Sequence, residues 1–293
     1  MFLTIKLINL IVKFFCLFLL FMICEFMYSQ PGVLTPGSYT NSSKIAACYK
    51  VFYKAPFRFD TLNRVNIVNS QRVWRIIDFK EPATKALFST NKLCENTDLF
   101  EVLKFGVISG QVNAFSSDKF DKNALNNKIN ISQFLSLISF KDTVTETEFD
   151  SDGNSTDTKK IIERQLNSND LAGFVFCEDW FFDNHWSQLD KRMLYICPIF
   201  KNEQKQTEYP LFYFYYNECR DLLGSFKAIN KRSTETFSYD ELILSHQYPA
   251  FVIKTTNVFN RTITEYKKGT DIEGEHDKSL KILHNSESDL FDH

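Results

Sequence analysis

The sequence predicts an α+β domain built on an antiparallel sheet, and two neighbouring apolar runs are the main reason. The runs cover residues 192–200 and 211–216, and both carry bulky residues at consecutive positions. A strand that is apolar on both faces is expected to lie centrally, with both faces covered. The connection Lys201–Glu208 is polar and eight residues long. We therefore expect a long antiparallel hairpin over residues 192–216 at the centre of the sheet.

Segments with cap signals predict the helices that flank this sheet. Asp98, or one of the two residues before it, can cap a helix that ends at Gly110. A short helix over residues 218–223 can follow Asn217 as its cap. Ser238 and Glu241 have the spacing of a capping box and predict a helix to about residue 246. These local signals complete the α+β prediction.

Further strands are predicted where β-branched and aromatic residues cluster or alternate. These strands cover residues 73–79, 111–115 and 251–259. Residues 141–160 are rich in Thr, Ser, Asp and Glu, which predicts either a surface loop or an edge hairpin. The sheet is thus expected to draw on most of the chain after residue 70.

The first 29 residues have the layout of a cleaved export signal. Lys6 and Lys13 precede an apolar run over residues 14–23, and Ser29 offers a small residue at the cut. A membrane anchor is the alternative, but the run is short against the ~20 apolar residues that a span needs. Cys24 follows Ile23, whereas a lipidated cysteine normally follows a small residue. The sequence therefore predicts an exported protein without a lipid of its own.

Composition excludes several classes of protein. The chain has 293 residues, 44% of them hydrophobic, and a formal charge of −2, so no general basic field for nucleic acid is present. Cleavage after residue 29 removes two lysines and one glutamate, which changes the charge to −3, and leaves five cysteines. Their wide spacing excludes a dense disulfide scaffold and a zinc site, although one bridge remains open. We expect most of them to be buried thiols on strands.

Residues 30–70 are predicted to form an extended N-terminal arm, since they are polar and contain Pro, Gly and Ser. Within the arm, the stretch 50–59 is an exception because it carries four bulky aromatic residues: Phe52, Tyr53, Phe57 and Phe59. Such a stretch is expected to pack against its own domain or against a neighbour. The arm would lead into an α+β domain over residues 71–268, followed by a charged C-terminal helix or tail over 269–293.

The sharpest enzymatic hypothesis is a periplasmic carbohydrate-binding or glycoside-hydrolysing protein. Glu178, Asp179 and Asp183 lie beside Trp180 and Trp186, and glycosidases combine paired carboxylates with aromatic platforms for sugar rings. On a strand, however, Glu178 and Trp180 would share one face while Asp179 would take the other. The alternative is that Asp179 and Asp183 cap turns or pair with Arg192 or Arg220, and that the aromatic residues form core or interface. We favour this structural interpretation.

Several ordered blocks of residues resemble the GldN/PorN family. The first half of the resemblance lies in residues 74–78, 99–106 and 110–115, and the second half in residues 178–183, 192–198 and 210–220. The match extends through residues 251–261 and covers roughly residues 72–269, about two-thirds of the chain. The chain departs from the expected pattern in its many Asn, Lys, Phe and Ile residues and in a reduced 141–160 segment.

The resemblance implies a periplasmic ring subunit of the type IX secretion system, which also serves gliding motility. Such a subunit binds an outer-membrane lipoprotein of the GldK/PorK type, associates with itself in the ring, and meets the periplasmic domains of a GldL/GldM-type motor. The resemblance implies no catalytic residue, no metal and no cofactor. The expected interaction residues are the four arm aromatics together with Trp186 and Arg220. Deletion of residues 30–60 is expected to leave a folded monomer that does not assemble.

Overall fold

A large antiparallel sheet organises the chain. In the computed structural model, residues 45–88, 98–116, 120, 124–149, 155–202, 207–228, 236–269, 271, 272 and 274 are described. The predicted export signal, the first part of the predicted arm (30–44) and most of the predicted C-terminal helix lie outside these residues. The fold below refers to the described part of the chain.

The elements follow one another in an order that mixes strands and helices. The first half contains β1 (Ile67–Asp78), α1 (Pro82–Phe88), α2 (Leu99–Ile108), β2 (Ala114–Phe115), β3 (Lys128–Ile129), α3 (Ile131–Ile138), β4 (Ser139–Phe149) and β5 (Ser155–Gln165). The second half contains β6 (Leu171–Asp183), β7 (Gln188–Asn202), β8 (Thr207–Pro210), β9 (Tyr213–Tyr215), α4 (Tyr216–Gly224), β10 (Lys227–Ala228), β11 (Phe237–Ser238), α5 (Tyr239–Ser245) and β12 (Phe251–Thr255).

Eight of these strands form one sheet, in the order β12-β1-β6-β7-β9-β2-β3, with β8 beside β7. Every pairing is antiparallel, so the predicted α+β class is confirmed. The centre of the sheet, however, lies one strand away from the hairpin predicted over residues 192–216. The longest hairpin joins β6 to β7 through the turn 184–187, whereas β7 meets β9 at only two residue pairs. The central strands are therefore β6 and β7.

The two central strands are apolar on both faces, as the sequence predicts. Residues of β6 are buried at every position except Asp179, which is half-buried. A bulge shifts the register of β7, because Cys177 lies opposite Tyr195 while Glu178 lies opposite Met193. The bulge places Met193 in the same apolar cluster as Ile196, whereas strict alternation along a strand would place it on the face of Tyr195. Alternation alone could not show this shift.

Two apolar layers cover the sheet. The larger cluster joins one sheet face, including Phe174 and Phe176, to helices α2, α4 and α5. The smaller one surrounds Tyr195 and Trp74 on the other face, and Phe115, Phe120 and Leu125 pack against it. The core therefore lies on both sides of β6 and β7, which explains why the aromatic run of the sequence is mostly interior.

Two of the three predicted helix N-termini have the capping residue that the sequence indicated. The Asp98 side chain accepts the backbone N–H of Phe100, and Ser238 forms a capping box with Glu241. Helix α4 differs, because it begins at Tyr216 and no side chain caps it. The strand predicted at 111–115 is reduced to Ala114–Phe115, and the one at 251–259 ends at Thr255.

The predicted edge hairpin at 141–160 is present as β4 and β5, which form a two-stranded sheet of their own. Its base is fixed to the body. Arg164 stacks 4.1 Å above the Phe140 ring and bonds the Asp170 carboxylate at 2.9 Å. The backbone N–H of Leu166 donates to the Ile138 carbonyl at 2.8 Å. Residues 150–154, which connect the two strands, lie outside the described residues.

The cysteines follow the prediction in part. Cys177, Cys197 and Cys219 are free and buried, and burial raises the pKa of each of these thiols. Cys48 is disulfide-bonded, and its partner lies outside the described residues. None of the helices in the described part of the chain is long and apolar enough to cross a membrane.

Candidate interaction site

The segment of residues 45–59, which the sequence placed in an extended arm, packs onto the body of the domain. Ile45 and Cys48 are buried in the main apolar cluster. The Tyr49 ring lies 5.5 Å from that of Phe105, and its hydroxyl donates to Gln111 Oε1 at 2.7 Å. We call residues 45–59 the docked segment. Because its start contributes to the core, a deletion that reaches residue 60 would remove core side chains.

Lys54 attaches the middle of the docked segment to helices α4 and α5. Its backbone N–H donates to the Gly224 carbonyl at 2.8 Å, and its Nζ lies 2.6 Å from Glu241 Oε1. A Cβ on Gly224 would lie 2.4 Å from the Lys54 carbonyl oxygen, so the approach requires glycine at this position. The position of Lys54 is thus fixed by both its backbone and its side chain.

Phe59 is held between two guanidinium groups. Those of Arg192 and Arg220 lie 4.2 Å and 4.5 Å from its ring centroid. Arg220 also donates a hydrogen bond to the Phe57 carbonyl. Stacking of an arginine on an aromatic face is electrostatically favourable. These contacts fix the end of the docked segment against α4 and β7.

A buried carboxylate orients Arg220 in turn. Asp240, which is almost fully buried, accepts from Arg220 Nε at 3.0 Å and from the Tyr216 hydroxyl at 2.6 Å. Burial by itself opposes the charge of Arg220, but the hydrogen bond and charge of Asp240 outweigh it and raise the pKa of Arg220. For Tyr216, in contrast, burial itself raises the pKa of the hydroxyl, and the phenol stays protonated. The arginine is therefore a fixed cation.

The docked segment presents apolar side chains to solvent from this fixed backbone. Val51, Tyr53 and Phe57 are 73%, 52% and 67% exposed. Phe52 and Phe59 are half-buried, and the Phe57 ring packs edge-on to Phe59 at 5.9 Å. Apolar groups held in place at a surface are typical of an interface.

The other two predicted interaction residues differ in their surroundings. Trp186, in the turn between β6 and β7, is 61% exposed, and its recorded ring contact is with His185 at 4.8 Å. The Arg220 side chain is only 13% exposed, and its contacts are with Asp240, Phe57 and Phe59. The structure thus joins Arg220 to the arm aromatics, whereas Trp186 lies in the turn between β6 and β7.

The residues of the carbohydrate hypothesis do not converge on one site. Trp180 is 6% exposed, and its Nε1–H donates to Glu178 Oε2 at 2.7 Å. Glu178 is fully buried, and its Oε1 lies 3.3 Å from Arg75 Nη1 and 3.4 Å from His246 Nδ1. Trp180 and Glu178 are therefore committed to a buried ionic cluster, where a sugar ring could not reach them.

The remaining carboxylates of that hypothesis are also engaged: Asp183 caps a turn, as one of the predicted alternatives had it, whereas Asp179 has a partner that was not predicted. Asp179 pairs with Arg72 at 2.6 Å and 2.9 Å, across the neighbouring strand, where Arg192 or Arg220 was expected. Asp183 accepts the backbone N–H of His185 at 2.8 Å and so caps the hairpin turn. The proposed pair of catalytic carboxylates is not formed.

A groove of about 870 Å³ lies at the end of the sheet where β1 begins. We call it the arginine groove. One wall comes from residues 62–67, and the opposite wall comes from the loop 256–260, whose tip residue Val258 is almost fully exposed. The floor consists of side chains from β1, β6 and β7: Ser70, Arg72, Trp74, Asp179, Phe181 and Arg192.

Sequence reasoning missed both the arginine groove and the role of Arg192. The groove joins three segments that are far apart in sequence, residues 62–74, 179–192 and 256–260. Only the strand register Arg72↔Asp179↔Arg192 brings the charged side chains of its floor together. Near the ends of these strands, charged residues alternate with apolar ones. This alternation was the one feature of the sequence that could have indicated the groove.

Comparison with known proteins gives one family. The model of the family described as "Gliding motility associated protein GldN" matches residues 62–292, most of the chain and all of the sheet. A search among curated proteins finds no match. The matched range holds the aromatic strand pair, the two buried arginine–carboxylate pairs and the arginine groove. The chain therefore belongs to the GldN family and is a component of the gliding-motility and type IX secretion machinery of the cell envelope.

Proposed function

We propose that this protein is a non-catalytic structural subunit of a periplasmic ring that is associated with the outer membrane. In this role it binds a lipoprotein of the GldK/PorK type, associates with copies of itself, and meets the periplasmic domains of a GldL/GldM-type motor. Attachment to the outer membrane comes from the lipoprotein. Membership of the GldN family supports the assignment to this machinery. The docked segment supports a role in binding other proteins.

One observation carries the proposal: the exposed side chains of the docked segment are held on a fixed backbone. Lys54, Phe57 and Phe59 are each tied to the body through contacts described above. Ordering a segment costs ~1–2 kcal/mol of backbone entropy per residue. A segment that is already ordered avoids this cost on binding, which favours association. Tyr53 and Phe57 are the side chains we expect to enter a partner's surface.

The disulfide of Cys48 supports the proposed compartment. Disulfides persist in oxidising compartments such as the periplasm and are rare in the cytosol. The bonded state of Cys48 therefore agrees with export through a cleaved signal over residues 1–29. Both observations point in the same direction, although they come from different parts of the chain.

The test is affinity purification of the tagged chain from membranes of the source cell. Recovery of a lipoprotein in stoichiometric amount is the expected result. Because Ile45 and Cys48 belong to the core, point variants are preferable to a deletion. The double variant Tyr53→Ala/Phe57→Ala should retain its fold and lose most of the lipoprotein. The matched control is Ile131→Ala, which removes an exposed apolar side chain from α3.

Two outcomes would contradict the proposal. One is a wild-type chain that is recovered alone, without any lipoprotein. The other is equal recovery of the lipoprotein by the double variant and by wild type, which would remove the docked segment from the interface. Circular dichroism of each variant separates loss of binding from loss of folding.

A further inference from the structure

Three loops meet at the end of the sheet where β1 begins. They are residues 63–66 before β1, the turn 184–187 between β6 and β7, and residues 256–261 after β12. The backbone N–H of Asn184 donates to the Asn66 carbonyl at 2.8 Å and so joins the first loop to the second. The first and third loops line the arginine groove together. We call the three loops the end loops.

Each end loop holds at least one apolar side chain in solvent. Val65, Trp186, Val258 and Phe259 are 85%, 61%, 96% and 72% exposed. Single apolar residues are common on the surfaces of soluble proteins, whereas a group of them on adjoining loops marks an interaction site. The end loops are therefore expected to be covered when the protein is at work.

Polar side chains fix the backbone of each end loop. Asn63 accepts the backbone N–H of Val65 at 3.2 Å, and a carboxylate caps the turn 184–187 as described above. In the third loop, the Asn257 side chain accepts the backbone N–H of Arg261 at 2.9 Å and donates to its carbonyl at 2.7 Å. Because the apolar side chains stand on a fixed backbone, little backbone entropy is lost when they are covered.

Two arginines accompany the apolar side chains. Arg64 is exposed, and no ion pair joins it to another described residue. Arg261 is also exposed, and its guanidinium lies 4.6 Å from the centroid of the Phe259 ring. The arginines of the groove floor are already paired with carboxylates. Two unpaired arginines against the buried Asp183, which caps the second loop, leave the end loops with a net positive charge.

The arrangement of the apolar side chains favours a lipid surface over a folded protein. The floor of the arginine groove, between the first and third loops, carries charged side chains, so the exposed apolar groups do not form one continuous face. A protein interface buries a continuous apolar centre within a polar rim. A bilayer can take up separate apolar groups in its interfacial region, where Trp is enriched, while arginines remain among anionic headgroups.

We propose that the end loops bind the surface of a membrane that contains anionic lipids. Their four exposed apolar side chains enter the interfacial region of the bilayer, and Arg64 and Arg261 contact headgroup phosphates. The contact is peripheral, because only loop residues enter the lipid. It goes beyond the proposed function, since it adds a direct contact of this chain with lipid to its attachment through a lipoprotein.

Co-sedimentation with vesicles tests the contact. The probes are vesicles of phosphatidylcholine alone and vesicles of phosphatidylcholine mixed with phosphatidylglycerol. The wild-type chain should bind the mixed vesicles, and binding should weaken as salt rises. The chain is used as purified from the source cell. All variants share its N-terminus, so the apolar run 14–23 cannot account for a difference between them.

Tryptophan fluorescence reports on the second end loop directly. Trp74 and Trp180 are buried, whereas Trp186 is exposed. Addition of mixed vesicles should therefore shift the emission to shorter wavelength, because Trp186 leaves water. Trp186→Phe should remove this shift while the chain still sediments with the vesicles.

Substitutions in the first and third end loops separate the apolar contribution from the charged one. Val258→Ser/Phe259→Ser should weaken binding to mixed vesicles at least ~10-fold, because the third loop loses its apolar side chains. Arg64→Gln/Arg261→Gln should also weaken it ~10-fold or more, at ~5-fold for each arginine. The arginine variant should leave binding to phosphatidylcholine alone unchanged.

The matched controls are Ile131→Ser and Lys128→Gln. Ile131 is an exposed apolar residue and Lys128 an exposed cation, and both lie at β3 or directly after it, at the opposite edge of the sheet. Both variants should bind vesicles as the wild type does. Circular dichroism of every variant separates loss of binding from loss of folding.

Three results would overturn the proposed lipid contact: a wild type that does not sediment with mixed vesicles at low salt, an emission that vesicles leave unchanged, or a loss in Val258→Ser/Phe259→Ser no greater than in Ile131→Ser. Loss of lipoprotein recovery by the same double variant, with vesicle binding intact, would assign the end loops to a protein instead. The vesicle assay contains no lipoprotein. Its failure is therefore distinguishable from failure of the proposed function, which is read as the absence of a co-isolated lipoprotein.

Discussion

Replacement of Arg220 by alanine should destabilise the domain and detach the docked segment in a single step. The guanidinium connects the buried Asp240 to the segment through the Phe57 carbonyl and the Phe59 ring. Its removal leaves Asp240 buried, with the Tyr216 hydroxyl at 2.6 Å as its remaining side-chain partner. A buried carboxylate that loses its cation bears most of its desolvation cost uncompensated.

The structure indicates the size of the effect. Removal of one partner from a buried ion pair costs ~3–5 kcal/mol. The Arg220 side chain is 13% exposed and Asp240 keeps one hydrogen bond, so we expect the lower part of this range. Loss of stacking on Phe59 adds ~0.5–1 kcal/mol. The total of about 3.5–4 kcal/mol corresponds to a fall in Tm of ~7–16 °C for a domain of this size.

Urea unfolding of a double-mutant cycle measures this coupling. The cycle uses Arg220→Ala, Asp240→Asn and the combined variant. Since Asp240→Asn removes the charge that Arg220 balances, the combined variant should be more stable than the sum of the single effects by ~1–2 kcal/mol. Arg58→Ala is the matched control, because Arg58 is an exposed arginine of the same segment. Additive effects, or a cost for Arg220→Ala within that of Arg58→Ala, would refute the reasoning.

Three other predictions follow from the docked segment and the buried cluster around Glu178. Cys48→Ser should lower the free energy of unfolding by ~2–4 kcal/mol; reaction of Cys48 with a thiol reagent in the untreated protein would contradict the bridge. Gly224→Ala should expose the backbone near Lys54 to limited proteolysis, because its Cβ would lie 2.4 Å from the Lys54 carbonyl, whereas Gly274→Ala, with open space around it, should not. Burial lowers the pKa of His246 below 6.5, so the unfolded chain binds more protons and stability should fall as the pH drops through and below 6.5. His246→Asn, which tolerates the left-handed backbone at φ 50, should reduce this loss, and an unchanged pH profile would exclude His246 as its source.

The local signals of the sequence predicted most elements correctly. Caps at Asp98 and Ser238 depend on a side chain and a backbone N–H two or three residues away, so the sequence contains both partners. Apolar residues at successive positions predicted that β7 would be covered on both faces. The same signal could not show the bulge opposite Cys177 and Glu178, because a register depends on the neighbouring strand.

Prediction from the sequence was more limited still for the candidate interaction and sugar-binding sites. Composition identified the aromatics of residues 50–59 as candidates for packing or for binding a partner. Only the tertiary structure separates the two roles, since Phe59 is held by Arg192 and Arg220 while Phe57 is exposed. The carbohydrate hypothesis failed for a similar reason: Glu178 and Trp180 share a strand face, and that face is interior.

The fold class, the family and the aromatic segment at the centre of the sheet could be predicted from the amino-acid sequence alone. These follow from periodicity, caps and the order of residues along the chain. The three-dimensional arrangement of the chain was needed to show which aromatic residues are core, which arginines hold the docked segment, and where the arginine groove lies. Burial and ion pairing depend on distances in space, and the residues that line the groove are up to about 200 positions apart in the chain.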